Sequence, residues 1–147
     1  MATSYEAVFD SFLSKIEDTD LPRMRHEDMI AQLISYLHGA LMEIDTSNLK
    51  FESDLSLFND QKMEFDEDLS FVEIEVISMY MVAAWYTPQI NALGHTHMLV
   101  TSNSEKYTDQ NKHLESMIAA RDYWINEARK RFRNKYILTN TYLDAFK

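Results

Sequence analysis

The chain has 147 residues, 46% hydrophobic and 12% aromatic, with a net charge of −10, no cysteine, two glycines and two prolines. That length and apolar content suit one domain around one packed core and exclude a disordered chain. Glycine and proline are too scarce for the tight turns of an all-β protein. With glycine only at Gly39 and Gly94, no P-loop, dinucleotide fingerprint or nucleophile elbow can be written. The lack of cysteine removes disulfides, thiolate metal sites and a cysteine nucleophile, and suits a reducing compartment.

Taken in chain order, Ser4 is placed to cap a first helix over Tyr5–Glu17, with Val8, Phe9, Phe12, Leu13 and Ile16 on one stripe. The segment Asp18–Pro22 ends it. A second helix is predicted over His26–Ile44, presenting Met29, Ile30, Leu33, Ile34, Leu37, Leu41 and Ile44. Gly39 weakens that helix but allows a close helix contact. Asp45–Asp68 is acidic and irregular, yet Leu49, Phe51, Leu55, Leu57, Phe58, Met63 and Phe65 make it too apolar for a linker. Alternation in Leu49–Glu52 and Met63–Phe65 allows a short β-hairpin, and so long a loop is usually functional or mobile.

Ser70 and Glu73 then form a capping box, with Leu69 and Ile74 at the hydrophobic-staple positions, so a third helix starts at Phe71. Ile74, Ile77, Met81 and Trp85 line one of its sides. Pro88 is expected to kink or end it, and Gly94–Val100 to form a further short helix. The uncharged stretch Val76–Leu93 carries Ser78, Thr87, Pro88, Gln89 and Asn91 and reads as a buried helix, not a membrane span. The N-terminus is acidic, unlike a targeting segment. Thr101–Thr108 is a polar connection, and a last helix capped by Thr108 is expected over Asp109–Lys135. Its apolar face is Leu114, Met117, Ile118, Trp124, Ile125, Ala128 and Phe132. Tyr136–Lys147 is apolar and aromatic without a period. The expectation is an all-α, compact bundle of four to five helices over 1–135, with a long irregular loop and an extended C-terminal tail over 136–147.

Residue chemistry offers no catalytic arrangement. His95 and His97 would point to different sides of a helix and share a side only in an extended segment. No acid lies between Val76 and Ser104 to complete a site with them, and His26, His38 and His113 lack ligand-spaced partners. The acids of Asp60–Asp68 lack the glycine of a calcium loop, and the paired glutamates and Glu-x-x-His of a di-iron bundle are missing. No nucleophile–base pattern marks an enzyme. The expectation is a protein without cofactor or metal, and not an enzyme.

The charge is divided along the chain. Residues 1–75 hold 18 acids and 5 bases, a net of −13, and residues 76–147 hold 6 acids and 9 bases, a net of +3. Arg129, Lys130, Arg131, Arg133 and Lys135 lie together. They can simply oppose the negative end of a helix, or, with Trp124, Phe132 and Tyr136, form a contact surface for an acidic protein or passing DNA. Opposite charges at the two ends also let one copy attract another head to tail, a contact that closes into a ring when the rotation allows. Tyr142, Leu143 and Phe146 either pack on the bundle or dock into another subunit. An acidic chain is repelled by duplex phosphate, which argues against a simple DNA-binding module.

Three stretches carry a family resemblance: SYEAVFDSFLSKIED at 4–18, FDEDLSFVEIEVI at 65–77 and MVAAWYTPQIN at 81–91. Together they resemble the head-to-tail connector, or adaptor, proteins of the tailed-bacteriophage neck. The chain departs from that pattern in its longer Asp45–Asp68 region and at Tyr86. The resemblance implies an all-α virion protein, made in the host cytoplasm, that forms a homo-oligomeric ring, a dodecamer, beneath the portal. Such a ring extends the DNA channel, lets double-stranded DNA pass without sticking, and receives the next neck or tail protein. It further implies that the C-terminal segment engages the portal, a role falling here on Ile137, Leu138, Tyr142, Leu143 and Phe146. Arg129, Lys130, Arg131, Arg133 and Lys135 are then the candidate subunit interface. The rival expectation is a small helical regulatory module binding a single protein partner.

Overall fold

The computed structural model describes residues 2–99 and 104–137; side chains of 95–99, 104–108 and 136–137 are outside the description. The chain forms a helical bundle with a three-stranded antiparallel sheet at one end. In order, the elements are β1 (Thr3–Ser4), α1 (Tyr5–Leu13), a 3-10 turn (Leu21–Arg23), α2 (His26–Thr46), β2 (Phe58–Asn59), β3 (Glu64–Phe65), α3 (Phe71–Leu99) and α4 (Ser104–Ile137).

The centre of the bundle is α3, which packs against α1, α2 and α4. Every residue from Val76 to Ala83 is buried, so this part of α3 is surrounded and does not merely present one apolar side, whereas the expected burial does not extend to Leu93: Pro88, Gln89, Asn91 and Ala92 are exposed. Around it lie Val8, Phe9 and Phe12 of α1, Leu33, Leu37, Ala40 and Ile44 of α2, and Ala128 of α4. The predicted stripes of α1 and α2 supply six of these eight surrounding residues, although Leu13 is 38% exposed at the end of α1. The helices α2 and α3 approach closely at Gly39, where an added Cβ would meet the Ala84 Cβ at 3.4 Å. That is ordinary van der Waals contact, so Gly39→Ala should raise stability by about 0.5–1 kcal/mol through helix propensity. The midpoint of chemical unfolding checks this.

The capping box at the start of α3 forms as the sequence suggests. Ser70 N donates to Glu73 Oε1 at 3.1 Å, and Glu73 N donates to Ser70 Oγ at 3.2 Å. Leu69 is buried and Ile74 packs on the core. Ser70→Ala should cost about 0.5–2 kcal/mol by leaving an amide without its acceptor, read as a lower unfolding midpoint. Lys135 Nζ also donates to Ser70 Oγ at 2.8 Å, so the loss reaches the end of α4 as well.

Four expectations need correction. First, α1 stops at Leu13, not Glu17. The Ser14 hydroxyl and Lys15 Nζ both donate to the Ser11 carbonyl, at 2.7 and 3.1 Å, in place of continued backbone pairing. Second, Pro88 does not end α3, and Gly94 does not open a separate helix: one helix runs through both. Proline disturbs the carbonyls one turn earlier. Thr87 Oγ1 donates to the Ala83 carbonyl at 3.0 Å, and Gln89 Nε2 donates to the Trp85 carbonyl at 3.1 Å. Third, α4 begins at Ser104, five residues before the expected Asp109, so Thr108 lies inside the helix and does not cap it, and 104–108 are helix and not connection.

Fourth, the hairpin pairs Phe58–Asn59 with Glu64–Phe65, and β1 adds on the other side of β3, opposing Thr3 to Phe65 and Ser4 to Glu64. The expected first strand, Leu49–Glu52, has no strand structure. Asn59 closes the turn by accepting from the Gln61 and Lys62 amides, at 2.9 and 3.1 Å, and Met63 takes a left-handed φ of 55°. Asn48, at φ 57°, ends α2 in the same conformation.

Candidate interaction surfaces

Several acids of the N-terminal half accept from backbone amides. Asp18 Oδ1 receives the Asp20 and Leu21 amides, and its Oδ2 receives Trp85 Nε1 at 2.7 Å. Burial pushes the Asp18 carboxyl up, but these donors outweigh it and hold the group below its ordinary value. Glu67 Oε2 receives the Asp54 amide at 2.7 Å, and Asp54 Oδ1 receives the amide and hydroxyl of Ser56. Thr3 bridges β1 to this region, its hydroxyl donating to the Glu67 carbonyl and accepting from the Leu69 amide. Asp54 and Glu67 thus help to fix the long acidic segment in place.

Glu75 joins three helices. Its Oε2 receives Lys15 Nζ and Ser11 Oγ of the α1 region, both at 3.1 Å, and its Oε1 receives Arg131 Nη1 of α4 at 2.9 Å. Burial pushes its carboxyl up; the Lys15 contact, then Ser11 and Arg131, pull it net below its ordinary value. Nearby on α3, Glu73 is 3% exposed and accepts from Ser53, with Lys135 Nζ 4.0 Å distant. Arg131 and Lys135 thus engage acids of their own chain.

The other three bases face solvent. Arg129 Nη2 reaches Ser47 Oγ at 3.4 Å, Lys130 pairs with Glu127 at 3.6 Å, and Arg133 is exposed. Of the five tail residues, Ile137 is the last of α4, and Leu138, Tyr142, Leu143 and Phe146 lie outside the described residues.

A third cluster ties α2 to the sheet. Tyr5 is fully buried, and its hydroxyl donates to Asp60 Oδ1 at 2.7 Å. His38 Nε2 stands 2.9 Å from Asp60 Oδ2, and its ring lies 5.4 Å from that of Phe58. Burial pushes the Tyr5 phenol up, and the Asp60 carboxylate pushes it further. Burial pushes the Asp60 carboxyl up, but the Tyr5 and His38 contacts bring it net below its ordinary value. The His38–Asp60 pair is solvent-exposed and holds neither a nucleophile nor a third ligand. Among the described residues no group of three or more His, Cys, Asp or Glu could hold a metal ion. Among them too, no helix is long and apolar enough to cross a membrane.

Sequence reasoning missed Glu75 as a junction and His38–Asp60–Tyr5 as a cluster. The signal for Glu75 was present: a carboxylate at the mouth of a helix buried all round requires a cationic partner. Nothing in spacing joins Tyr5, His38 and Asp60, because three separate elements bring them together. Set against known protein families, curated proteins and solved structures, the chain finds no match in any of the three comparisons.

Proposed function

We propose that the chain is a structural subunit of a tailed-phage neck, assembling as a homo-oligomeric ring beneath the portal and joining head to tail. The observation that carries this reading is the run of pattern residues at 4–18, 65–77 and 81–91. In the fold these stretches cover α1, the end of β3 and much of α3, and Ser4, Ser70, Val8, Phe12, Phe65, Ile77 and Met81 among them are caps and core, the positions that specify a scaffold. The helical bundle, the acidic surface and the solvent-facing Arg129, Lys130 and Arg133 agree with a subunit whose work is contact, not chemistry. Those three bases form the candidate contact to the acidic side of a neighbouring copy, and residues 138–147 the candidate contact to the portal.

Electron microscopy of the tailed particle tests the reading: a ring of this chain between portal and tail is expected, and its absence from the purified particle overturns it. Reversal of Arg129, Lys130 and Arg133 to Glu should block ring formation while leaving helicity intact. Sparing Arg131 and Lys135 keeps the contacts to Glu75 and Glu73, so failure to assemble cannot be confused with unfolding. Ending the chain after Ile137 should leave the bundle folded and abolish attachment to the portal. A chain that stays a monomer and binds a single protein partner would instead be the regulatory module.

A further inference from the structure

Between the C-terminal half of α2 and residues 49–58 lies a groove of about 850 Å³. Leu41, Leu49, Phe51, Leu55 and Phe58 make much of its lining, and Met42, 71% exposed, stands at its lip. Phe58 and its neighbour Leu57 are also among the exposed large apolar side chains. Apolar surface gathered in a concave site marks a binding surface.

The last turns of α4 run beside this groove. Phe132 packs its ring 5.1 Å from that of Phe51. Arg129 reaches Ser47, just before the groove wall, and Lys135 contacts the Ser70–Glu73 cap, which also holds Ser53 of the lining. Ten residues follow Ile137, and Leu138, Tyr142, Leu143 and Phe146 make that segment apolar. Extended, ten residues reach ~33 Å, ample to enter a groove that begins beside Phe132.

We propose that this groove is the docking site of the chain's own residues 138–147, with Tyr142, Leu143 and Phe146 as its apolar anchors. Tethering sets the local concentration of the segment near the millimolar range, so a second copy must compete with the chain's own end. The inference goes beyond the neck reading and does not depend on it. Where both hold, the segment leaves the groove to meet the portal, and the groove shields its anchors until then.

Because the chain has no cysteine, a pair of introduced ones reports the contact cleanly. Met42→Cys with Leu143→Cys, oxidised mildly at low protein concentration, should close an internal disulfide in the monomer. The rate should be at least about tenfold that of a control pair, Gln89→Cys with Leu143→Cys, on the effective-concentration argument. Adding Tyr142→Ser and Phe146→Ser should bring the rate down to the control's. In the cysteine-free chain, the same two serine changes should speed hydrogen exchange at residues 49–58. Equal rates in the two cysteine pairs, or unchanged exchange, overturn the proposal. Disulfide-linked dimers in place of closed monomers also overturn it, and assign the groove to a second copy.

Discussion

Phe65→Ala should lower stability by about 3–5 kcal/mol, the cost of truncating a buried phenylalanine whose surroundings cannot collapse. Phe65 is 1% exposed and stands in the central strand of the sheet, opposite Thr3 on one side and Phe58 on the other. Its ring meets that of Tyr5 edge-on, with centroids 5.1 Å apart. The truncation therefore removes an aromatic pair as well as buried area. The Tyr5 amide donates to the Met63 carbonyl at 2.8 Å, so α1 is seated on the hairpin beside the space the truncation opens. Urea unfolding measures the loss, and hydrogen exchange at residues 58–65 should quicken more than at Val76–Ala83. A loss below about 1 kcal/mol would mean the sheet is not part of the cooperative core.

This sheet is where the sequence was hardest to read. Strands of two residues have no periodicity to detect, and β1 joins the hairpin from the far end of the first two helices. Alternation pointed to Leu49–Glu52, but the partner chosen is Phe58–Asn59, because Asn59 supplies the turn and Met63 accepts a left-handed φ. Local capping, by contrast, was legible at two of its three expected places, Thr108 lying inside α4 instead of capping it. Ser4 and Ser70 cap the helices they precede, at 3.2 Å to the Glu6 amide and 3.2 Å to the Glu73 amide. A cap needs only neighbours within one turn, so the sequence window contains all of its partners.

Pro88 shows the limit of a local rule. The rule counts a missing amide donor; it does not count Thr87 and Gln89, whose side chains donate to the Ala83 and Trp85 carbonyls on either side of the Ala84 carbonyl that Pro88 leaves without its amide. The charge split was legible as a total but not as a set of contacts. Arg131 and Lys135 belong to the chain's own acids at Glu75 and Glu73, whereas Arg129, Lys130 and Arg133 face outward. Helical position separates them: Arg131 and Lys135 are four residues apart on one side of α4. The groove was not legible, since its walls come from α2 and from a segment without regular structure.

Glu75→Gln should lower stability by about 2–3 kcal/mol at neutral pH, because it leaves a charge without its partner inside the bundle. The exposed member, Arg131, matters little: its side chain is 52% exposed and water can solvate it. Lys15 is the costly one, with a side chain only 12% exposed and its ammonium held 3.1 Å from Glu75 Oε2. The amide that replaces the carboxylate can still accept from Ser11 and Lys15, but it offers no negative charge. Acid should reproduce the substitution in the native chain. The Glu75 carboxyl is held below its ordinary value of 4.5 in the fold. Its stabilising contribution is therefore complete above that value and fades as pH falls through the lower, folded one. The difference between native chain and Glu75→Gln should be largest at neutral pH and should close as the carboxyl is protonated in acid, below its ordinary value of 4.5. Asp18 and Asp60 are depressed in the same direction, so both proteins lose stability in acid while the gap between them narrows. Lys15→Met should weaken the effect of Glu75→Gln by removing the stranded ammonium, giving a non-additive cycle with a coupling of about 0.5–3 kcal/mol. Urea titrations of the four proteins at neutral and acidic pH measure all of this. Additive losses, or a gap that stays constant with pH, would show that Lys15 and Glu75 are solvated separately and that the junction of α1, α3 and α4 is held by packing alone.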